Sequence, residues 1–131
     1  MNEQAISRKF QKELNSGTAS LVVLGLLDGS AEPMYGYQIA KLLEERAHGR
    51  LPMKQGALYP VLRAMEASGL LQSHVEPSIS APPRRYYKVT AAGHRMLAQW
   101  VGIWAGTRDF VERVLAGTTA AGSQGEESGD V

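Results

Sequence analysis

The residues best suited to chemistry in this chain begin at Lys54. In Lys54-Gln55-Gly56-Ala57-Leu58-Tyr59-Pro60-Val61-Leu62-Arg63 an ammonium and a primary amide stand at the head of an apolar run. A glutamine amide presents a donor and an acceptor side by side, the pattern that pairs bidentately with an adenine edge, and a lysine reaches guanine or a phosphate. Gly56 and Ala57 are small enough to let a backbone approach a groove closely, and Tyr59 can reach a phosphate or a base from the same face. About twenty residues on, Arg84-Arg85-Tyr86-Tyr87-Lys88 concentrates three cations and two tyrosines. On a strand, alternation sends Arg85 and Tyr87 to one face and Arg84, Tyr86 and Lys88 to the other. Such cations neutralise phosphates and give affinity without sequence choice, and an arginine can also enter a narrow minor groove. The plainer use of the tyrosines is that one or both fill the core.

Charge supports a polyanion partner. The net charge of +1 hides an asymmetry: residues 116–131 carry Glu126, Glu127 and Asp130 and no cation, so the first 115 residues hold a net +4. Between Arg50 and Lys88 six cations (Arg50, Lys54, Arg63, Arg84, Arg85 and Lys88) face only Glu66 and Glu76. Positive charge gathered on one structural unit suits nucleic acid. With no cysteine there is neither a disulfide framework nor a thiolate metal site. No signal-peptide-like run and no apolar stretch of about eighteen residues appears, which predicts a cytoplasmic location.

The elements that must position these residues follow from periodicity. Ile6, Phe10 and Leu14 recur every four residues, predicting a short helix over 3–14 with one narrow apolar stripe, broken at Asn15-Ser16-Gly17. Thr18 is suited to cap a second, nearly all-apolar helix over 19–27. A loop over 28–33 leads to a third helix, Tyr35 to Arg46, with Tyr37, Ile39, Ala40, Leu42 and Leu43 facing inward and His48-Gly49 as its end. Leu51-Pro52-Met53 is extended, because the residue before a proline avoids the helical region. A helix then runs from Lys54 or Gln55 to Ala67, with Pro60 near its start and Leu58, Val61, Leu62 and Met65 inward. Two strands, 70–76 and 84–89, flank a proline-rich loop and make a β-hairpin. Thr90 caps a last helix, Ala91 to Leu115, about 37 Å long if fully helical. Its apolar side is Leu97, Trp100, Val101, Trp104, Val111, Val114 and Leu115, long enough to project from the core and pack on a symmetry mate. Residues 116–131 lack periodicity and read as disordered.

These elements predict an α+β, mainly α fold: a winged helix-turn-helix over 1–90 with an N-terminal helix, a long C-terminal dimerisation helix over 91–115, and a tail over 116–131. In that arrangement a helix enters the major groove and a hairpin reaches the flanking backbone. The predicted dimer contacts are Ile6, Phe10, Leu97, Trp100, Val101, Trp104, Val111 and Leu115. Trp100 and Trp104, four apart, share a helix face. They either stack on a planar hydrophobic ligand at a dimer interface or simply pack there. His48, His74 and His94 stand far apart, without metal-ligand spacing, and read as surface histidines. No nucleophile triad or glycine-rich phosphate loop is present, so no catalysis, cofactor or metal is expected.

Several blocks of the chain resemble the PadR family of bacterial transcriptional regulators, over roughly Thr18 to Trp104. They are L-V-V-L-G-L-L (21–27), Y-G-Y-Q-I (35–39), Q-G-A-L-Y-P-V-L-R-A-M-E-A-S-G-L-L (55–71), P-P-R-R-Y-Y-K-V-T (82–90), and Gly93 with a downstream tryptophan. The resemblance implies a winged-helix homodimer that represses transcription from a palindromic operator and leaves it when an effector binds. It implies that the helix matching Gln55–Ser68 enters the major groove, with Tyr37, Arg84, Arg85 and Lys88 near the DNA backbone. It implies that the first and last helices build the dimer, and that a tryptophan on the last helix, Trp100 or Trp104 here, stacks on a flat, phenolic or otherwise aromatic effector in some members. The single predicted C-terminal helix resembles the short subfamily. The chain departs from the family at Tyr35, often histidine, at Gln38, often glutamate, and at Lys54 and Ala57, often serine and threonine. The last two stand where bases would be read, so the resemblance does not carry an operator sequence with it. The rival expectation is a winged helix used only for protein interaction and dimerisation.

Overall fold

The structure, a computed structural model, describes residues 2–48 and 55–128, with side chains over 2–48 and 56–117. Among these are four helices and three strands: α1 (Glu3–Asp28), β1 (Met34–Tyr35), α2 (Gly36–Ala47), α3 (Gln55–Ala67), β2 (Leu71–Glu76), β3 (Arg84–Val89) and α4 (Ala91–Ser128). The strands form one antiparallel sheet in the order β1-β3-β2. This is the winged helix predicted from the pattern of elements. Two compact units divide the chain, Met1–Leu97 and Ala98–Val131.

The first unit is built on Val23, Leu24 and Leu27 of α1, Ile39 and Leu43 of α2, Leu58, Leu62 and Met65 of α3, and Tyr87 of β3, all buried. α1 is one helix, not two. Asn2 caps it, its Oδ1 accepting from the Ala5 N–H at 2.7 Å. Across the expected break, Gln11 Nε2 donates to Asn15 Oδ1 (2.7 Å) and Thr18 Oγ1 donates back to the Leu14 carbonyl (3.0 Å). Thr18 therefore bonds within a helix that runs through it, the alternative a threonine has to capping.

β1 is a pairing the periodicity missed. Two residues are too few to show alternation, and Tyr35 read as the first residue of a helix. It lies opposite Tyr86 instead, and α2 starts at Gly36. Gln38 closes that start, its Oε1 accepting from the Tyr35 N–H at 3.1 Å, the reach-back that glutamate or glutamine performs at this helix position.

Pro60 sits inside α3, one turn deeper than a helix-start proline, and cannot donate to the Gly56 carbonyl. α3 closes with Gly69 at φ 80°, where the Leu70 N–H bonds to the Met65 carbonyl (2.9 Å) and the Gly69 N–H to the Glu66 carbonyl (3.0 Å). That paired closure turns the chain into β2. α4 is capped by Thr90 as predicted, its Oγ1 accepting from the Gly93 N–H at 2.9 Å. It continues to Ser128 rather than Leu115, so 116–128, expected without regular structure, is helical backbone. No proline interrupts its ladder of i to i−4 bonds from Ala91 onward.

Candidate nucleic-acid interface

Leu58, Leu62 and Met65 turn one side of α3 into the core, which leaves Gly56, Ala57, Tyr59, Pro60, Arg63 and Ala64 exposed on the other. Small and uncharged apart from Arg63, that exposed side suits close backbone approach to a groove. Lys54, the predicted head of the helix, lies outside the described residues, and Gln55 is the first residue of α3.

Tyr59 is 37 % exposed and crosses to the start of α2. A β-carbon on Gly36 would stand 2.8 Å from its hydroxyl oxygen and 2.9 Å from its ring. Gly36 thus lets the two helices of the helix-turn-helix share this ring. The sequence reading assigned it no role, because a glycine at a helix start carries no sign of its distant neighbour.

The register of the hairpin bears out the predicted alternation. Ser73 opposes Tyr87, which opposes Met34, and His74 opposes Tyr86, which opposes Tyr35. The two tyrosines separate: Tyr87 is 2 % exposed and fills the core, while Tyr86 is half-buried on the other face. Burial raises the Tyr87 hydroxyl above its ordinary pKa, and the Glu66 carboxylate adds to this, while the Arg85 and Arg63 guanidinium groups pull it back.

Arg84 and Arg85 separate in the same way. The Arg84 guanidinium lies over the Tyr35 ring, 4.5 Å from its centroid. Tyr35 meets the Tyr86 ring edge-on at 5.3 Å, and the His74 ring stacks on Tyr86 at 5.6 Å. Arg85 instead faces α3. Its NH1 donates to Ser73 Oγ (2.9 Å), and Ser73 Oγ donates to Glu66 Oε2 (2.6 Å). Tyr59, Arg63, Glu66, Arg85 and Tyr87 line one recess between α3 and the hairpin. Lys88 is exposed, opposite Gln72.

Tyr37, expected from periodicity to face inward, is 52 % exposed on the first turn of α2, the position the resemblance assigns to the DNA backbone. Lys41, one turn on, lies over its ring at 6.0 Å and is a further cation on this side that the sequence reading passed over. All three histidines are exposed as expected; His94 pairs with Asp28 and His74 with Glu76, each at 2.9 Å. Among the described residues no group of three possible metal ligands occurs, and no helix is long and apolar enough to cross a membrane.

Of the predicted dimer contacts, Ile6 and Phe10 are exposed on α1 and Leu97 is half-buried at the end of the first unit. In the second unit Val101, Trp104, Val111 and Leu115 are exposed and Trp100 is half-buried. Ile103 and Phe110, also exposed, widen the apolar stripe beyond the predicted one.

The Transcriptional regulator PadR-like family matches residues 23–99. A PadR family transcriptional regulator from Eggerthella lenta is 34% identical, with a TM-score of 0.76 over 86% of this chain and 94% of that one. A PadR-like transcription factor from Bacteroides fragilis is 28% identical, with a TM-score of 0.65 over 81% and 98% of the two chains. The structure of Bacillus subtilis PadR in complex with operator DNA shares the fold, with a TM-score of 0.57 at 21% identity over 64% of this chain and 47% of that one.

Proposed function

We infer the function from one premise: the chain belongs to the Transcriptional regulator PadR-like family. We propose that it is a homodimeric repressor that occupies a palindromic operator and leaves it when a planar hydrophobic or phenolic effector binds at Trp100 and Trp104. Gln55 and Lys54 read base edges, Gly56 lets α3 into the groove, and Tyr37, Tyr59, Arg63, Arg85 and Lys88 hold the backbone. The observation that carries this reading is the outward side of α3. It is small, nearly uncharged, and continuous through one recess with a cation of the hairpin. That combination suits groove insertion flanked by phosphate contact. The operator-bound Bacillus subtilis PadR has the same fold and supports it. On a palindrome the two recognition helices sit about 34 Å apart, and an effector acts by preferring a state with another spacing.

Selection of genomic DNA fragments by the purified protein at about 150 mM salt, where non-specific binding is weak, tests the reading. One enriched palindrome is the expected result. No enrichment, together with no binding to random duplex at low salt, would favour a protein-interaction module.

Gly36→Ala is expected to weaken operator binding by about fivefold with little change in unfolding midpoint. The added methyl pushes Tyr59 aside rather than opening the core. In a Tyr59→Ala background the same substitution should have almost no further effect on binding, a non-additivity that residues in contact show.

A further inference from the structure

Neighbouring arginines of the hairpin do different work, and the recess beside α3 shows what Arg85 is for. A serine hydroxyl has one proton, a guanidinium cannot accept and an ionised carboxylate cannot donate. Ser73 must therefore give its proton to Glu66 and turn a lone pair to Arg85. Glu66 in this way fixes the direction of a bond it does not itself make. One Arg85 N–H is spent on Ser73; the rest of the fork is unengaged among the described residues, and Arg63 has no hydrogen bond or ion pair there. Two guanidinium groups and one carboxylate leave the recess a single positive charge, the complement of one phosphodiester. Arg84 has no such opening, because its guanidinium lies over Tyr35 on the opposite face of the sheet.

We propose that this recess seats one backbone phosphate of the DNA, held by Arg63 and Arg85 with the Tyr59 hydroxyl, and that Ser73 and Glu66 are positioning residues for Arg85. Arg84 is a structural cation that ties β3 to β1. The inference rests on the DNA-binding reading above and is separable from it.

The test measures binding of the wild type and four variants to one duplex across a salt series, with unfolding midpoints in parallel. Arg85→Met should lower the log–log salt slope by about 0.9, the value of one phosphate contact. Arg84→Met keeps an apolar stem on Tyr35 and should leave the slope unchanged. Ser73→Ala keeps every charge, so the slope should hold while affinity falls about fourfold; Ser73→Thr, which restores the hydroxyl, should recover it. If Arg84→Met and Arg85→Met flatten the slope equally, or Ser73→Ala binds as wild type does, the seat is wrong although DNA binding stands. A wild type that binds no duplex at any salt overturns the DNA reading and the seat together.

Discussion

Gly93→Ala should lower the unfolding midpoint by roughly 10–20 °C, the cost of forcing extra volume into a packed site in a domain of this size. Gly93 is buried in the first turn of α4, and a β-carbon there would run into the Leu70 carbonyl oxygen and stand 2.8 Å from Val89 Cγ1. Neither neighbour can retreat easily. The Leu70 carbonyl accepts from the Thr90 N–H at 3.1 Å, and Thr90 Oγ1 donates to the Gly69 carbonyl at 2.7 Å while accepting from the Gly93 N–H. The turn after α3, the end of β3 and the start of α4 are thus one hydrogen-bonded junction, and displacing any part of it strains the others. Gly102→Ala is the matched control. It lies on the same helix with nothing within 4 Å of the added methyl, so alanine there should stabilise α4 by about 0.5–1 kcal/mol through reduced backbone entropy. Calorimetry of both variants checks the contrast in sign; a Gly93→Ala midpoint equal to wild type would mean the junction is looser than its hydrogen bonds indicate.

What the sequence made legible was periodic and local. Leu58, Leu62 and Met65 at helical spacing defined the buried side of α3 and, by elimination, its outward side. Alternation separated Arg84 from Arg85 before any coordinates, and Thr90 announced the cap of α4. The misses share another cause. Asn15, Gly17 and Thr18 are individually poor helix residues, and the composition argued for a break. Side-chain bonds from Gln11 to Asn15 and from Thr18 to Leu14 span that stretch, and local propensity does not register them. The roles of Gly36, Ser73 and Glu66 depend on partners separated from them in sequence or on another element. Glu66 read as a plain acid diluting a basic cluster; the structure makes it the group that orients Ser73 toward Arg85. Local pattern reports which face a residue occupies, whereas function at this interface depends on what the opposite element brings to that face.

Replacing Trp100 and Trp104 together by alanine is expected to convert the proposed dimer to monomer and to reduce operator affinity by a hundredfold or more. Trp104 is 39 % exposed, and Val101, Ile103, Phe110, Val111 and Leu115 are exposed along the same helix. An apolar stripe of that length is unusual on a solvated surface and marks an association site. Buried interface tryptophans commonly contribute about 2 kcal/mol or more each on truncation, so losing both weakens association by roughly a thousandfold. Operator affinity falls because one protomer engages one half-site and the avidity of two linked half-sites disappears. Sedimentation and duplex binding, measured on the same preparations, separate the two roles open to these residues. A monomer that still binds a single half-site, with about half the salt slope of the wild type, assigns the tryptophans to assembly. A variant that remains dimeric and holds its operator, but is no longer displaced by planar aromatic compounds that displace the wild type, assigns them to the effector. In that case the dimer must rest on the remaining apolar residues, and Ile103 and Phe110 become the positions to truncate next.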